Sequence, residues 1–365
     1  MRMQLFVACL CIIIVFGCAR DKTNDSQIPV TTVSEIAFDK LSEKINEIAL
    51  ETKNEFFMSS SPKITAINER EEFIILDNVN QRNIYVYDKH GKALGKIGRV
   101  GQGPGEFLYP ECLSYYAGKY YIYDSDLLRM SIFSGSFEFL DSFSTPLAVA
   151  RMSVYNDSTF YLYRTNMFIY SADKHTAFQC NKQGHIINSF HEQSENWSEF
   201  TAAKGGGLVC VGQNIFVVNP YENKVAEYTL DGKLIRTVQG RHDLLQPAPK
   251  IKNPDIYAND MKKYLEFIKT WGVVVDIQAL DDYLVVYYIT PQNAGAVLYL
   301  DIYDHQLNLL FEAVKIPAKI KSVFCFHDKM YFFEQREFGN PDDLPNPHIL
   351  VYQLSARQKV VADKS

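Results

Sequence analysis

The chain has 365 residues, with 37 basic and 43 acidic side chains, which gives a formal charge of −6 and a pI near 5.8. This acidic balance argues against a nucleic-acid-binding protein, because such proteins present a net basic face. Hydrophobic residues make up 47% of the chain, and the 23 Tyr and 24 Phe residues suit the pleated, half-buried surfaces of β-sheets.

The N-terminus has the pattern of a secretory leader. Arg2 precedes an apolar run, residues 5–16, that is too short to span a bilayer. The run ends in Phe16-Gly17-Cys18, which resembles the bacterial lipobox. That resemblance implies removal of residues 1–17 and lipidation of Cys18, with residues 18–27 as a flexible tether. The alternative is an ordinary signal peptide with a chance cysteine, because Phe16 stands where the lipobox favours a small residue.

The cysteines that would remain after cleavage are far apart and lack any CxxC or CxxH spacing. A disulfide framework or a zinc site is therefore not predicted, and we expect buried free thiols. These cysteines are Cys112, Cys180, Cys210 and Cys325.

A short apolar strand that leads into a polar turn recurs six times along the chain. The last apolar residues before the turns lie 46 to 49 residues apart, with one interval of 75: Tyr87, Phe133, Cys180, Tyr228, Tyr303 and Tyr352. Turn glycines follow four of them: Gly91, Gly135, Gly184 and Gly232. This period predicts an all-β protein, a single six-bladed β-propeller over residues 28–365. The long interval predicts a helical insertion, residues 240–270, between blades four and five.

Two stretches resemble known families. Residues 107–110 (FLYP), the run 120–124, the run 129–133 and Gly135 resemble an NHL-type repeat. The leader and residues 101–107 (GQGPGEF) resemble six-bladed β-propeller lipoproteins of Bacteroidota. The resemblance implies a propeller fold and an address in the cell envelope, on the outer membrane, and it implies no particular reaction. The last two blades depart from the pattern because they lack the turn glycine.

A propeller has to close its ring so that no sheet edge stays free. Residues 45–50 have the alternation of an outer strand for blade six, beside residues 350–354. The alternative is that residues 358–362 fill that place.

Three elaborated segments, 98–106, 240–270 and 335–347, are predicted to open on one face of the disc. Long loops on one face are typical of a recognition surface. In the insertion, one helical stripe carries Tyr257 and Tyr264, which with Trp271 would give an apolar or sugar-stacking surface on a lid or partner-docking helix. The alternative is that the insertion only seals the channel.

Cations occur at the predicted starts of the innermost strands, near the same face. These are Lys63, Arg151, Lys204 and Lys319, with Lys321 as the alternative to Lys319. Several cations near one channel mouth favour an anionic ligand. The alternative is solvated strand ends paired with Glu111 or Asp77. If the ligand role holds, charge reversal at Lys63 and Arg151 is expected to leave the melting temperature nearly unchanged.

The glycine-rich run has a structural interpretation. Gly101, Gly103, Pro104 and Gly105 form neither a P-loop nor a dinucleotide fingerprint. We therefore expect a shaped loop in which Phe107 inserts between blades, rather than a phosphate site. Asp77 and Asp124 are expected to cap their own turns rather than bind metal.

Two classes of function remain. The first is a binding or scaffold module whose partners are the membrane, through the lipid anchor, and a glycan, peptide or protein. The second is a propeller-type hydrolase or lyase with a metal site in the channel. Of the histidines, His90, His185 and His305 fall in turns of the opposite face and the rest share no blade position, which favours the binding module. No cofactor or metal is predicted.

Overall fold

The structure is a computed structural model that describes residues 36–52, 56, 63–77, 82–164, 173–193, 205–240, 244–245, 263, 272–292, 295–317, 320–334 and 347–355. Six small sheets form a ring, and the innermost strand of each sheet contacts the innermost strands of its two neighbours. The six-bladed β-propeller fold is confirmed. Most of the predicted insertion, residues 240–270, lies outside the described residues, so its helical character stays a prediction.

Each blade takes its strands in chain order from the channel outwards, except in blade 6. The N-terminal strands are β1 (Ile36–Ala37) and β2 (Ser42–Ala49), with a short 3-10 helix, Phe38–Lys40, between them. Blade 1 contains β3 (Lys63–Ile67), β4 (Phe73–Asp77), β5 (Asn83–Tyr87) and β6 (Ala93–Lys96), and a small parallel pair, β7 (Arg99–Val100) and β8 (Glu106–Phe107), follows it. Blade 2 contains β9 (Pro110–Tyr116), β10 (Lys119–Asp124), β11 (Arg129–Ser134) and β12 (Phe139–Ser144). Blade 3 contains β13 (Val149–Asn156), β14 (Thr159–Arg164), β15 (His175–Asn181) and β16 (Ile186–Glu192). Blade 4 contains β17 (Gly207–Val211), β18 (Asn214–Val218), β19 (Lys224–Thr229) and β20 (Leu234–Gln239). Blade 5 contains β21 (Val273–Ala279), β22 (Tyr283–Gln292), β23 (Gly295–Asp304) and β24 (Leu309–Lys315), and blade 6 contains β25 (Ile320–Phe326), β26 (Lys329–Glu334) and β27 (His348–Leu354).

The core lies between neighbouring blades rather than at the centre of the disc. Second strands such as β4 are buried along their whole length, because another blade covers each face of the sheet. This double cover explains why they appear in the sequence as continuous apolar runs. Outermost strands such as β20 are mostly exposed and carry mixed side chains.

The turn between the third and fourth strands repeats around the ring. Its first residue is Asp88, Ser134, Asn181 or Asp304 in blades 1, 2, 3 and 5, and in each the side chain accepts hydrogen bonds from the backbone N–H groups two and four residues later. Thr229 accepts the second of these bonds in blade 4. The residue three positions on has a positive φ: Gly91, Phe137, Gly184, Gly232 and Leu307. Gly135 lies in the blade 2 turn as predicted, and Phe137 occupies the left-handed position there.

The N-terminal segment closes the ring. β2 pairs antiparallel with β27, from Ser42 opposite Leu354 to Ala49 opposite His348, and completes blade 6 as its outermost strand. The prediction of an N-terminal closing strand is confirmed, with the strand beginning three residues earlier than expected. β1 adds in parallel to the outer edge of blade 5, so the same segment joins two blades. Residues 358–362 lie outside the described part of the chain.

Candidate functional site

A central cavity of about 350 Å³ is lined by the innermost strands of all six blades, β3, β9, β13, β17, β21 and β25. Most of its wall is aliphatic and aromatic. Three charged side chains reach it from three different blades: Lys63 from blade 1, Arg151 from blade 3 and Asp276 from blade 5.

Backbone irregularities set the direction of these side chains. In the described strands, the innermost strand of every blade except blade 4 has a register shift near its first residues. Arg151 follows one such shift and Asp276 follows another. A β-bulge bends the strand and re-aims the side chain beside it. The bulges therefore determine which residues point along the channel, and a strict two-residue alternation does not predict them.

Arg151 and Asp276 form an ion pair that crosses from blade 3 to blade 5. Arg151 Nε lies 2.9 Å from Asp276 Oδ2, and only 19% and 11% of the two side chains are exposed. The terminal nitrogens of Arg151 donate to the carbonyl oxygens of Ala150 at 2.9 Å and Val275 at 3.2 Å. Burial alone would lower the pKa of the Arg151 guanidinium, but the adjacent Asp276 carboxylate outweighs burial and raises it.

Blade 4 makes room for this pair by having glycine where the other blades have side chains. A Cβ on Gly207 would lie 2.0 Å from Asp276 Oδ1, and a Cβ on Gly206 would lie 2.1 Å from the Tyr163 hydroxyl oxygen. No side chain fits at those distances, so the ion pair passes over β17 only because its first residue is glycine. The sequence signal for this crossing is the run Gly205–Gly207, which is not among the predicted site residues.

Lys63 reaches the same cavity from the opposite side of the ring. Its Nζ donates a hydrogen bond of 3.1 Å to the carbonyl oxygen of Glu111, which links blades 1 and 2. Of the predicted site residues, the structure thus brings Lys63 and Arg151 to one cavity. The others lie outside the described residues: Lys204, Lys319, Tyr257, Tyr264, Trp271 and Cys18.

One expectation for Arg151 needs correction. Its guanidinium donates hydrogen bonds to Asp276 and to two backbone carbonyls, so it links blade 3 to blade 5 and has a structural role. Charge reversal at Arg151 would place two carboxylates together in a buried site and would lower the melting temperature. The expectation of an unchanged melting temperature is retained for Lys63 alone.

In the glycine-rich loop, the carboxylate of Glu106 is bound by groups of the same segment. Glu106 accepts a hydrogen bond of 2.8 Å from the backbone N–H of Gly103, and its other oxygen lies 2.7 Å from Arg99 Nε. A Cβ on Gly101 would lie 2.2 Å from that carboxylate. Phe107 is buried among residues of blades 1 and 2. The Glu106 carboxylate thus accepts a backbone N–H group of the loop that a bound anion would otherwise use.

Asp124 caps two backbone segments at once. One carboxylate oxygen accepts hydrogen bonds from the N–H groups of Leu108 and Tyr109, and the other accepts from Asp126 and Leu127. The side chain is fully buried. The prediction of a capping role is confirmed for Asp124. The turn that follows Asp77, residues 78–81, lies outside the described residues.

Replacing Asp124 with Ala is expected to lower the free energy of unfolding by about 3 kcal/mol, because buried N–H groups lose their acceptor. Urea denaturation measures this loss. If Asp124 instead held a metal, EDTA would destabilise the wild-type protein by a similar amount and leave the Asp124→Ala variant unaffected. We expect no EDTA effect on either protein.

Within the described residues, no three His, Cys, Asp or Glu side chains are grouped closely enough to hold a metal ion. The turns of the face opposite the elaborated segments contain His90, His185 and His305, as predicted. All four cysteines considered above are free thiols, and three of them are buried, with Cys210 partly so. Burial raises the pKa of the Cys180 and Cys210 thiols to about 12, which makes them poor nucleophiles.

Among the histidines that the structure describes, His191 is the one whose pKa burial shifts clearly. Its Nδ1 lies 3.0 Å from the Tyr228 hydroxyl oxygen, and its backbone has a φ of 60°. Burial lowers its pKa from 6.5 to about 4. The unfolded chain therefore binds a proton at a pH where the folded protein does not, and folding stability falls as the pH drops from about 6.5 towards 4.

His191→Asn is expected to reduce this acid-induced decrease in the free energy of unfolding by up to about 2 kcal/mol. Asparagine tolerates a positive φ and does not titrate. Urea denaturation midpoints at pH 7 and at pH 4.5 measure this change in pH dependence. The exposed turn residue His90 is the matched control, and His90→Asn should follow the wild-type pH dependence. Parallel curves for His191→Asn and the wild type would contradict the assignment.

Among the described residues, no helix has both the length and the apolar character needed to cross a membrane. The ring of six sheets and the cavity at its centre define a β-propeller with charged side chains in its channel. The chain belongs to the family described as "Domain of unknown function (DUF4934)", whose model matches residues 25–309. No curated protein matches the sequence.

Two solved structures share the fold. A protein of Bacteroides fragilis described as exported has a TM-score of 0.61 and 15% sequence identity, covering 88% of this chain and 97% of its own. A DUF4221-family member from Bacteroides vulgatus has a TM-score of 0.63 and 11% identity, covering 86% and 97% respectively. At these identities the similarity extends to the fold alone.

Proposed function

We propose that this protein is a non-catalytic binding module of the bacterial envelope whose channel cavity receives an anionic group of its ligand. The observation that carries the proposal is the meeting of Lys63, Arg151 and Asp276 in one cavity built by all six blades. The described lining residues thus include two cations and one carboxylate. Such a cavity focuses positive potential because its walls are largely apolar.

The two cations have different roles in this proposal. Arg151 forms an ion pair with Asp276, so the charge of its guanidinium is largely compensated. Lys63 donates a hydrogen bond to the carbonyl oxygen of Glu111, and with Arg151 it gives the described lining two cations against one carboxylate. A ligand carboxylate or sulfate would therefore approach from the Lys63 side. Lys204 and Lys319 remain predicted cations of the same mouth, and Tyr257, Tyr264 and Trp271 remain predicted contacts for a glycan, peptide or protein partner.

A thermal-shift experiment tests this proposal with small acidic sugars and dicarboxylates, each matched to a neutral analogue. A ligand at 100 times its Kd stabilises the folded protein by about 2.7 kcal/mol. We expect acidic members to raise the melting temperature and their neutral analogues to have little effect. Lys63→Gln should remove the shift while melting like the wild type. Equal shifts with neutral analogues, or shifts that survive in Lys63→Gln, would refute the proposed selectivity.

The proposal includes a lipid anchor at Cys18 on the outer membrane, as in the NHL-like lipoproteins of Bacteroidota that the sequence resembles. The leader pattern supports this address, and so does the description of the similar Bacteroides fragilis protein as exported. Metabolic labelling with a fatty-acid probe should mark the wild type and leave Cys18→Ala unlabelled. Labelling of both proteins to the same extent would rule out lipidation at Cys18.

A further inference from the structure

A second cavity, of about 340 Å³, lies at the seam where blade 6 meets blade 1. We call it the seam pocket. Its walls come from β2, β26 and β27 of blade 6 and from two turns of blade 1. It shares no lining residue with the channel cavity described above.

The floor of the seam pocket is apolar. Ile48, Phe73, Tyr331 and Val351 line it and are each almost fully buried. Ile45 also lines it but is 42% exposed, which is high for a large aliphatic side chain. The pairing of β2 with β27 slips one residue at Ile45. A bulge of this kind re-aims the side chain, and here it leaves an aliphatic group at the pocket entrance.

The rim of the seam pocket carries an excess of positive charge. Two lysines, Lys89 and Lys329, line it against one carboxylate, Glu71, and His90 also lines it. Glu71 accepts a hydrogen bond of 3.0 Å from Lys329 Nζ and has a φ of 57°, an uncommon backbone conformation for a glutamate. Lys89 is exposed on the turn that follows β5.

We propose that the seam pocket binds an aliphatic carboxylate, with the chain on the apolar floor, Ile45 covering it at the entrance, and the carboxylate between Lys89 and Lys329. Charge complementarity determines the choice of occupant, because an apolar floor beneath a basic rim matches an apolar tail with an anionic head. A polar anion would gain nothing from the floor, and a neutral alkane or alcohol would gain nothing from the rim.

Two other seams, as far as the structure describes their residues, differ from this one. Between blades 2 and 3, Lys119 pairs with Asp157 at 2.9 Å, in the position that Lys329 and Glu71 occupy between blades 6 and 1. Between blades 5 and 6, the cavity at the seam is acidic, with Asp281, Asp282 and Asp328. The repeat therefore supplies an interblade ion pair in more than one place, and the closing strand with its bulge adds the apolar floor at this seam.

Calorimetric titration of the full chain with decanoate tests the proposal, with decanol and decylammonium as ligand controls. We expect saturable binding of decanoate that is weakened about fivefold by Lys329→Gln and about fivefold to tenfold by Ile45→Ser. Ile45 is exposed enough for Ser to leave the fold intact, and melting curves verify this. Lys119→Gln is the matched control, because it removes the equivalent lysine at another seam and should leave decanoate binding unchanged.

A sedimentation arm with phosphatidylglycerol vesicles distinguishes a free fatty acid from a lipid at a membrane surface. Competition of decanoate binding by the vesicles, sensitive to the same two substitutions, would assign the pocket to lipid acyl chains. Vesicle binding without decanoate binding would overturn the proposal. So would decanoate binding that neither Lys329→Gln nor Ile45→Ser changes, or equal binding of decanol. These outcomes are independent of Lys63 and so leave the proposed channel function untouched.

Discussion

A chain that begins at Glu51 is expected to lose most of its folding stability. The removed segment contributes three buried apolar side chains, Phe38, Ile48 and Leu50, each worth about 1.5–3 kcal/mol. It also supplies the whole β2 ladder of blade 6 and the β1 pairing with blade 5. The expected loss of roughly 5–9 kcal/mol approaches the total stability of a typical domain.

The loss should affect the whole ring, because the segment joins two blades. Phe38 packs against Phe332 and Tyr352 with ring centroids 5.1 Å apart in both contacts, and it belongs to the cluster between blades 5 and 6. Without β2, the edge of β27 would be exposed and open to aggregation.

Thermal and urea denaturation, with light scattering to detect aggregation, measure this effect. A chain that begins at Ile36 is the control, because it keeps every described contact and should melt like the full chain. Substituting Phe38 alone with Ala should cost about 3–5 kcal/mol. A chain from Glu51 that melts like the chain from Ile36 would show that the ring closes by other means.

The second large effect is expected at the ion pair across the channel. Removing one partner of a buried pair leaves an uncompensated charge and costs about 3–5 kcal/mol. Arg151→Met and Asp276→Leu should therefore each lower the melting temperature by roughly 10 °C. The double variant should be more stable than either single variant, because it leaves no buried charge alone.

Calorimetry on the two single variants, the double variant and one control gives the coupling energy directly. The control is Lys119→Met, which breaks an ion pair whose side chains are 35% and 60% exposed, and it should cost less than about 1 kcal/mol. A melting temperature for Arg151→Met equal to that of the wild type would mean that Arg151 is available to a ligand rather than committed to Asp276.

The repeat and the strand order were predictable from sequence because they depend on local chemistry. Continuous apolar runs such as residues 73–76 mark strands covered on both faces. Side chains such as Asp88 and Asn181 mark the turns by accepting backbone hydrogen bonds. Glycine alone is an incomplete sequence signal for these turns. Phe137 and Leu307 adopt the same positive φ, so the capping residue marks the turn more consistently than the glycine does.

The partners of the charged side chains were decided by the tertiary structure. Lys63 and Arg151 were correctly placed near one end of the innermost strands, since strand polarity alone brings their positions to the same channel. Arg151 and Asp276 lie 125 positions apart, and their contact depends on two bulges and on a glycine in the blade between them. A one-residue bulge reverses which face a side chain takes. Sequence periodicity therefore determines the propeller and its closing strand, whereas only the closed ring determines which charges meet inside it.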